Sequence, residues 1–290
     1  MVRRPRKTVM SEVLKKKMQT ATLVEKTVLG GGRLGVFKLK PDNGARWWFQ
    51  AGQYTTLGLD TASHGFVPRA YSIAGSPLDE GIIEFYIALV ENGQLTPTIF
   101  SQEVGAKFHY LTPKGKFTLK HAAKKTLVMV ATGTGLAPFV AQIRTLWKSH
   151  LSGVPSPYRV VLFYGASYSD EFGYRAELEQ MAAAKKDGFD FTFICTSSRP
   201  DATRGWTSAI AKGRVNEVVR HAFGWSVPEG RTVSLPEGVD ATALKAHVFA
   251  NGGADVGFMA CGNPGMIEDL KEPIAHAGVG TYLVEEFWKA

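Results

Sequence analysis

The spacing of apolar residues changes near residue 120, and this change constrains the fold more than any other feature of the sequence. From about residue 20 up to this point, short runs of β-branched and aromatic residues alternate with turns containing glycine or proline. Such runs predict many short antiparallel strands in a barrel or sandwich. After this point, each strand-length apolar run is followed by a helical stretch, which predicts a doubly wound parallel sheet. At 290 residues the chain is long enough for two such cores.

These patterns divide the chain into three parts. We expect a poorly ordered basic tail over residues 1–19, an antiparallel β-barrel domain over 20–122 and an α/β domain over 123–290. The predicted barrel strands include "GQYTTLGL", "RAYSIAG", "IIEFYIALV" and "KFTLK". Residues 222–254 fit neither pattern, and we interpret them as an insertion or a long surface excursion with one short helix.

The formal net charge of +8 comes mostly from residues 1–20, which hold seven basic residues and one acid. A basic chain end of this kind is typical of a solvated tail, and an acidic partner or an anionic surface is the functional alternative. The tail lacks the apolar stretch of a secretory signal. Elsewhere the apolar runs are too short to cross a bilayer. We therefore expect a soluble, cytoplasmic protein without a membrane span and without a nucleic-acid partner.

The chain has only two cysteines, Cys195 and Cys261. This number fits a reducing compartment and excludes a disulfide framework. It also excludes a self-contained four-cysteine iron–sulfur cluster, and we expect no metal site. If the protein transfers electrons, the carrier is organic or belongs to a partner.

Two glycine-containing loops follow predicted strands of the second domain. In "VMVATGTGLAPF", Gly133, Thr134 and Gly135 stand between a strand and a helix start, where backbone N–H groups can approach an anion closely. In "MACGNPGM", Gly262 and Asn263 occupy the same kind of position. Ligands of open parallel sheets bind where the carboxyl ends of strands meet helix N-termini. The two loops therefore predict a shared phosphate-binding crevice, with Met266 beside it. Cys261 is either a small buried hydrophobe or a ligand-facing residue, and its place at the crevice favours the second.

With "RAYSIAGSP", "ATGTGLAPF" and "CGNPGM" in this order, the sequence resembles the ferredoxin–NADP reductase family, in particular its bacterial FAD-containing branch. The resemblance covers residues 20–290 apart from the insertion. In that family a barrel domain holds the flavin and a doubly wound domain holds the nicotinamide dinucleotide. The resemblance therefore implies FAD as the cofactor and NADPH as a substrate.

The resemblance assigns roles to the segment that contains Arg69, Ala70, Tyr71 and Ser72. Arg69 pairs with the FAD pyrophosphate, Tyr71 packs against the isoalloxazine ring, and Ser72 lies within hydrogen-bond reach of the reactive N5. Strand alternation places Arg69 and Tyr71 on one face and Ser72 on the other. For all three to reach one ligand, the strand bends or bulges at Ser72, or the ligand lies against the strand edge.

The segment "EFYIALVENGQLTP" resembles the second flavin-binding segment of the family. It implies ring and ribityl contacts from residues 86–89 and phosphate contacts from residues 94–96. The members of these two groups are Tyr86, Ile87, Ala88, Leu89, Gln94, Leu95 and Thr96. Thr134 is expected to contact both the flavin and the dinucleotide, because it should lie where the domains meet.

Selection of NADP over NAD requires cations around the ribose 2′-phosphate. Arg199 and Arg214 match family arginines with that role, whereas Ser167 stands where some bacterial members carry arginine. A charge-assisted hydrogen bond contributes roughly 1.5–3 kcal/mol, so the loss of one of three weakens the discrimination without abolishing it.

The C-terminal "TYLVEEFWKA" resembles the family segment that carries an aromatic residue over the flavin and a nearby carboxylate. Trp288 aligns best with the aromatic residue, and Phe287 is the alternative because strand alternation sends the two to opposite faces. Glu285 is the candidate for proton handling. Tyr71, Ser72 and Cys261 are the other candidate catalytic residues.

The resemblance implies hydride transfer from NADPH to FAD, followed by single-electron transfer to an acidic ferredoxin or flavodoxin. An NADH-dependent reductase component of an oxygenase system is the alternative within the same fold. A nucleic-acid- or membrane-binding protein acting through its tail is the alternative from another class. Candidate docking cations for the acidic carrier are Lys107, Lys114, Lys116, Lys120, Lys124 and Lys125.

Overall fold

The computed structural model describes residues 6–44 and 46–286. Its first sheet contains six strands paired in the order β4-β3-β6-β1-β2-β5, and every pair is antiparallel. The strands are β1 (Gln19–Leu29), β2 (Leu34–Pro41), β3 (Tyr54–Thr61), β4 (Gly65–Ser72), β5 (Ile83–Ala88) and β6 (Lys107–Tyr110). A bridge between Ile73 and Phe85 joins the two edge strands just beyond β4. The predicted antiparallel domain is confirmed.

Three short helices accompany this sheet: α1 (Arg6–Lys15), α2 (Thr96–Ser101) and α3 (Leu119–Ala122). The expectation of a poorly ordered tail differs from the structure over residues 6–15, which form α1. Lys15 Nζ lies 2.6 Å from an Asp60 oxygen at the end of β3, so this helix is tied to the barrel.

The strand predicted at "KFTLK" is wrong. Phe117 and Thr118 are buried, but Thr118 N donates to Lys116 O in a local turn, and α3 begins at the next residue. The missed strand is β6, whose residues alternate between exposed Lys107 and buried Phe108. Since β6 is only four residues long, its alternation gives a weak sequence signal.

The second sheet contains six parallel strands in the order β10-β9-β8-β7-β11-β12. The strands are β7 (Thr126–Thr132), β8 (Arg159–Ala166), β9 (Phe191–Ser197), β10 (Ala211–Lys212), β11 (Val256–Gly262) and β12 (Thr281–Glu286). The helices are α4 (Ala137–Leu151), α5 (Arg175–Ala183), α6 (Val215–Ala222), α7 (Ala241–Val248) and α8 (Pro264–His276). The predicted doubly wound α/β domain is confirmed.

Successive residues of the central strands enter opposite hydrophobic layers. In β7, Leu127 and Met129 pack with α4 and α5, whereas Val128 and Val130 pack with α6 and α8. Because both faces are covered by helices, these strands are apolar throughout rather than alternating.

The strand order reverses between β7 and β11, which are neighbours in the sheet although more than 120 residues separate them. A crevice opens at such a point, beyond the carboxyl ends of the two strands. The loops "ATGTG" and "CGNPG" therefore meet there.

The two domains are joined by a buried ionic network centred on Arg144 of α4. Its Nη1 donates to Glu84 Oε1 of β5 at 2.6 Å, and its Nε and Nη2 donate to Glu177 of α5 at 2.6 and 2.7 Å. Tyr174 OH donates to the same Glu84 oxygen at 2.8 Å. Burial opposes the charged form of Arg144, but the bond to Glu177 and the charges of Glu84 and Glu177 raise its pKa above the ordinary value.

Candidate active site at the domain junction

A cleft of about 420 Å³ runs along the edge of β4 and reaches the second domain. Three sequence segments form its first wall: residues 69–72 of β4, residues 86–88 of β5 and the loop 90–96. Thr134 and Ala137 close it from the second domain. The structure thus brings together every flavin-site residue predicted from these segments except Leu89, which lines the adjoining groove.

The position of β4 explains how Arg69, Tyr71 and Ser72 can all face one cleft. Pairing with β3 is regular from Gly65 to Ser72, with no bulge. However, β4 is an edge strand, so a cavity beside its free edge contacts side chains from both faces. The strand therefore has no bulge at Ser72, and the cleft lies along its edge.

The Arg69 guanidinium is exposed at the cleft and is held by its neighbours. Its Nη1 donates to Pro68 O at 2.7 Å, and its Nη2 donates to Gln94 Oε1. These two contacts use only part of the five-donor fork, so N–H groups remain for an anion.

The loop that carries Gln94 turns tightly. Thr96 Oγ1 accepts from Val90 N at 2.9 Å and donates to Val90 O at 3.1 Å. A side chain at Gly93 would approach Val90 O to 2.9 Å and Thr96 Oγ1 to 3.0 Å. The glycine therefore permits the turn that aims Gln94 at Arg69.

Tyr86 lines the cleft but directs its hydroxyl into the domain junction. The hydroxyl lies 3.4 Å from the Tyr164 hydroxyl and 3.5 Å from Glu171 O. Its ring packs edge-on against Tyr174 at 5.2 Å. This residue therefore links the cleft to the second domain as well as lining it.

The two glycine loops interlock at the carboxyl ends of β7 and β11. A Cβ at Gly135 would stand 2.2 Å from Cys261 O, and a Cβ at Gly262 would stand 2.2 Å from Thr132 Oγ1. Thr132 Oγ1 also accepts from Asn263 N at 2.8 Å, and Asn263 Oδ1 accepts from Met266 N at 3.2 Å. The glycines are required because the two loops are in direct contact.

A groove of about 720 Å³ begins at these loops and continues along the second domain. It contains the predicted residues Leu89, Gly133, Thr134, Ser167, Arg214, Gly262, Asn263 and Met266. At its far end a smaller pocket of about 340 Å³, called here the basic pocket, lies beyond β9 and β10. The basic pocket brings Ser167, Arg199 and Arg214 together.

Cys261 is fully buried and belongs to none of these cavities. Burial raises its thiol pKa well above the ordinary value, and the charge of neighbouring Glu285 acts in the same direction. In this structure the side chain is therefore a neutral, fully buried thiol, which is the alternative to a ligand-facing role that the sequence left open.

Glu285 of β12 reaches across the junction to the end of β4. Ser72 Oγ donates to Glu285 Oε2 at 3.1 Å. Burial raises the pKa of Glu285 to about 7, while the bond from Ser72 favours the anion and opposes that rise. A carboxyl group that titrates near neutral pH therefore lies one hydrogen bond from the cleft residue Ser72.

This assignment predicts a pH-dependent stability difference for Glu285→Gln. The carboxyl has an ordinary pKa of 4.5 and a folded-state pKa of about 7. Since folding disfavours its anion, wild-type stability falls as pH rises through this window. We expect the thermal midpoint of Glu285→Gln relative to wild type to rise between pH 4.5 and pH 8. The exposed neighbour Glu286 provides the control, Glu286→Gln, and an equal pH trend in both variants would contradict the assignment.

Phe287 and Trp288, the two candidates for the aromatic residue over the flavin, lie outside the described residues. The cavities contain several residues that sequence reasoning missed. Arg33 and Pro228 line the groove, Lys212 and Thr232 line the basic pocket, and Arg231 lines both. Lys212 is two positions before Arg214 and could have been found from its neighbour. Arg33 and the residues of 222–254 had no recognisable motif.

Two family models match the chain. One is described as an oxidoreductase FAD-binding domain and matches residues 20–119. The other is described as an oxidoreductase NAD-binding domain and matches residues 129–272. Between them they include the segments that form the cleft and the groove.

Similar proteins support the same classification. The chain is 32% identical to ferredoxin–NADP reductase B of Sorangium cellulosum over 63% of this chain and 72% of the relative. It is 30% identical to the flavodoxin/ferredoxin–NADP reductase of Buchnera aphidicola over 77% of this chain and 78% of the relative. A propane 2-monooxygenase reductase component of Mycolicibacterium goodii is 28% identical over 70% of this chain and 56% of the relative.

A crystal structure of a ferredoxin NADP⁺ reductase from Neisseria gonorrhoeae with bound FAD and NADP has the same fold. It superimposes with a TM-score of 0.71 at 19% identity, over 94% of this chain and 99% of that one. The chain belongs to the ferredoxin–NADP reductase family and is an FAD- and NAD(P)-binding oxidoreductase.

The cleft residues fit FAD in chemical type. A partly unsatisfied guanidinium suits a pyrophosphate, and the aromatic and aliphatic lining from Tyr71, Tyr86 and Leu95 suits a flat ring system.

Across residues 6–44 and 46–286, no group of three or more His, Cys, Asp or Glu side chains is arranged to hold a metal ion. Within the same ranges, no helix has the length and apolar content needed to cross a membrane.

Proposed function

We propose that the protein transfers hydride from NADPH to FAD and passes the electrons singly to a ferredoxin or flavodoxin. The observation that carries the choice of NADPH is the basic pocket. Arg199, Arg214, Lys212 and Arg231 line it together with Ser167. Such a concentration of cations next to a nucleotide groove suits a phosphate dianion more than a ribose hydroxyl.

The cleft residues would hold FAD along the edge of β4. Arg69 and the loop 93–96 would bind the pyrophosphate, and Tyr71 would pack against the isoalloxazine ring. When bound, FAD supplies the conversion between two-electron and one-electron chemistry. The groove, which shares Ala88 and Thr134 with the cleft, would bring the nicotinamide end of NADPH to the same place.

Ser72 and Glu285 would handle the proton that accompanies electron transfer. The Glu285 pKa of about 7 means that its carboxyl can hold or release a proton near neutral pH. Ser72 Oγ, which donates to Glu285 Oε2, connects this carboxyl to the cleft.

Two of the six candidate lysines are best situated to dock an acidic carrier. Lys114 forms a backbone bridge with Tyr54, and Tyr54 pairs with Ser72 of β4. Lys114 therefore lies two strand-to-strand spacings from the cleft residue Ser72. Strand spacing makes this about 10 Å. Lys116 is exposed on the same turn. A carrier held here would bind less tightly at high salt.

The other four lysines have other settings. Lys107 is paired with Asp42 at 2.7 Å, and this contact is the main cause of the low Asp42 pKa of about 2. Three of them, Lys120, Lys124 and Lys125, precede β7. They therefore lie toward the amino end of that strand, whereas the phosphate loops lie at the carboxyl ends of β7 and β11. We therefore restrict the docking proposal to Lys114 and Lys116.

The second candidate function is an NADH-dependent reductase component of an oxygenase system. Its support is the similarity to monooxygenase reductase components, of which the chain spans about half the length. The basic pocket argues against this alternative because NADH carries no 2′-phosphate to occupy it.

The test is Arg199→Ala in the FAD-loaded protein. We expect the KM for NADPH to rise about tenfold, because one charge-assisted contact is lost at an exposed site. The KM for NADH should change less than twofold. Both are measured by steady-state reduction of ferricyanide.

Wild-type protein must also show the larger kcat/KM with NADPH. Arg204→Ala is the matched control, since Arg204 pairs with Asp170 and lines neither nucleotide cavity. Equal losses with both nucleotides in Arg199→Ala would remove Arg199 from the 2′-phosphate site. A wild type that prefers NADH would favour the oxygenase reductase instead.

A further inference from the structure

The excursion of residues 222–254, which starts at the end of α6 and includes α7, is fastened to the open edge of the parallel sheet. Ser234 and Lys212 of β10 exchange both backbone hydrogen bonds, at 3.0 and 3.1 Å. Farther along, Glu237 N donates to Ser208 O at 2.8 Å, and Ser208 Oγ donates to Glu237 Oε2 at 2.7 Å. These contacts set the position of the preceding residues against the carboxyl end of β10.

Arg231 stands three residues before this bridge and is the only arginine of the excursion. It lines both the basic pocket and the groove. Ser167, which follows β8, lines the same two cavities. The excursion therefore places a guanidinium where the groove and the basic pocket meet. Ser167, which lines the same two cavities, carries no charge there.

The partner of Arg231 leaves most of its donors available. Arg231 Nε lies 3.3 Å from Glu217 Oε1, and its side chain remains 54% exposed. Glu217 is buried, and its Oε2 accepts from Arg214 N at 3.2 Å. A buried carboxylate alone would repel a phosphate dianion, so the cation beside it both neutralises that charge and offers further N–H groups.

We propose that Arg231 is a specificity-determining residue that binds the 2′-phosphate of NADPH in place of the arginine absent at position 167. This inference rests on the proposed use of NADPH. It assigns a function to an excursion that follows neither domain's sequence pattern: the segment adds a cation to the two cavities that Ser167 also lines.

The experiment uses full-length, FAD-loaded Arg231→Gln. We expect the KM for NADPH to rise about tenfold and the KM for NADH to change less than twofold. Calorimetry without turnover gives an independent readout: the affinity for adenosine 2′,5′-bisphosphate should fall about tenfold, and that for 5′-AMP should stay within twofold. Lys245→Gln, at the excursion's other cation on the exposed side of α7, is the matched control and should change neither.

Two further variants separate phosphate binding from simple neutralisation of Glu217. If Arg231 only neutralises this carboxylate, adding Glu217→Gln to Arg231→Gln restores the NADPH KM, and the proposal is overturned. If Arg231 binds the phosphate, this double variant remains defective. Adding Ser167→Arg to Arg231→Gln should then recover at least half of the lost preference for NADPH over NADH. This preference is measured as the logarithm of the ratio of the two kcat/KM values.

The outcomes distinguish this inference from the function on which it rests. Arg231→Gln could raise the KM for NADPH and NADH equally while Arg199→Ala raises the KM for NADPH alone. That result overturns the role of Arg231 and leaves the proposed function standing. A wild type that binds adenosine 2′,5′-bisphosphate no better than 5′-AMP overturns both.

Discussion

Arg69→Ala should be purified without colour at ordinary flavin concentrations. Among the described residues that line the cleft, Arg69 is the one cation, and the substitution removes with it the donors facing the predicted pyrophosphate. Loss of a charge-assisted contact of roughly 1.5–3 kcal/mol weakens binding about 10- to 100-fold. The flavin content of the purified variant, measured from its visible spectrum and by release of the bound flavin, is the direct readout.

The control for Arg69→Ala is Arg69→Lys. A lysine keeps the charge but loses the planar fork, so we expect intermediate flavin retention. Arg175, which is half-exposed on α5 and lines neither the cleft nor the groove, supplies a further comparison: Arg175→Ala should leave flavin content unchanged. Stoichiometric flavin in Arg69→Ala would show that the pyrophosphate lies elsewhere.

Arg144→Ala should destabilise the protein more than any other single change considered. Its loss leaves Glu84, a buried carboxylate of the first domain, without its close cation, since Lys38 Nζ stands 4.0 Å away. Removing one partner of a buried pair costs about 3–5 kcal/mol. For a chain of this size, this corresponds to a fall in Tm of about 6–15 °C, measured by thermal unfolding of the flavin-loaded protein.

The matched surface pair is Arg175 and Glu179, one helical turn apart on α5. Exposed pairs of this kind contribute about 0.3–0.5 kcal/mol, so Arg175→Ala should shift Tm by no more than about 2 °C. Combining Arg144→Met with Glu84→Gln should recover part of the loss, because no buried charge is then left unpaired. Equal shifts for Arg144→Ala and Arg175→Ala would contradict the importance of the junction network.

The two kinds of domain were predictable because burial imposes different periodicities on them. Strands of the first sheet carry Gly- and Pro-containing turns between short β-branched runs, whereas β7 and β11 are apolar throughout because helices cover both faces. The same reasoning placed the two glycine loops at one crevice. It failed at "KFTLK", where a single local turn before α3 replaces a strand.

The site was predictable where its residues are close in sequence. Arg69 to Ser72 form one segment, and the resemblance assigned them to one ligand. The geometry that lets both strand faces reach the cleft depends on β4 being an edge strand, which only the pairing of the whole sheet decides. Cys261 shows the limit of such reasoning, because its place in the sequence left open whether its side chain is buried, and the structure shows it fully buried.

Long-range pairing accounts for the residues that were missed. Arg231 reaches the basic pocket because Ser234 pairs with Lys212, 22 positions earlier in the chain. Arg144 joins Glu84 across the domain junction, 60 positions away. Neither contact leaves a local motif, so composition and periodicity could not indicate it.

We propose that a flavin lies between the two domains and accepts reducing equivalents from NADPH. The most direct measurement is the visible spectrum of the purified protein, recorded without oxygen before and after NADPH or NADH is added. We expect a yellow protein whose blue absorbance band is bleached by stoichiometric NADPH and only at much higher concentrations of NADH. A protein that has no such band and gains none when incubated with FAD would contradict it.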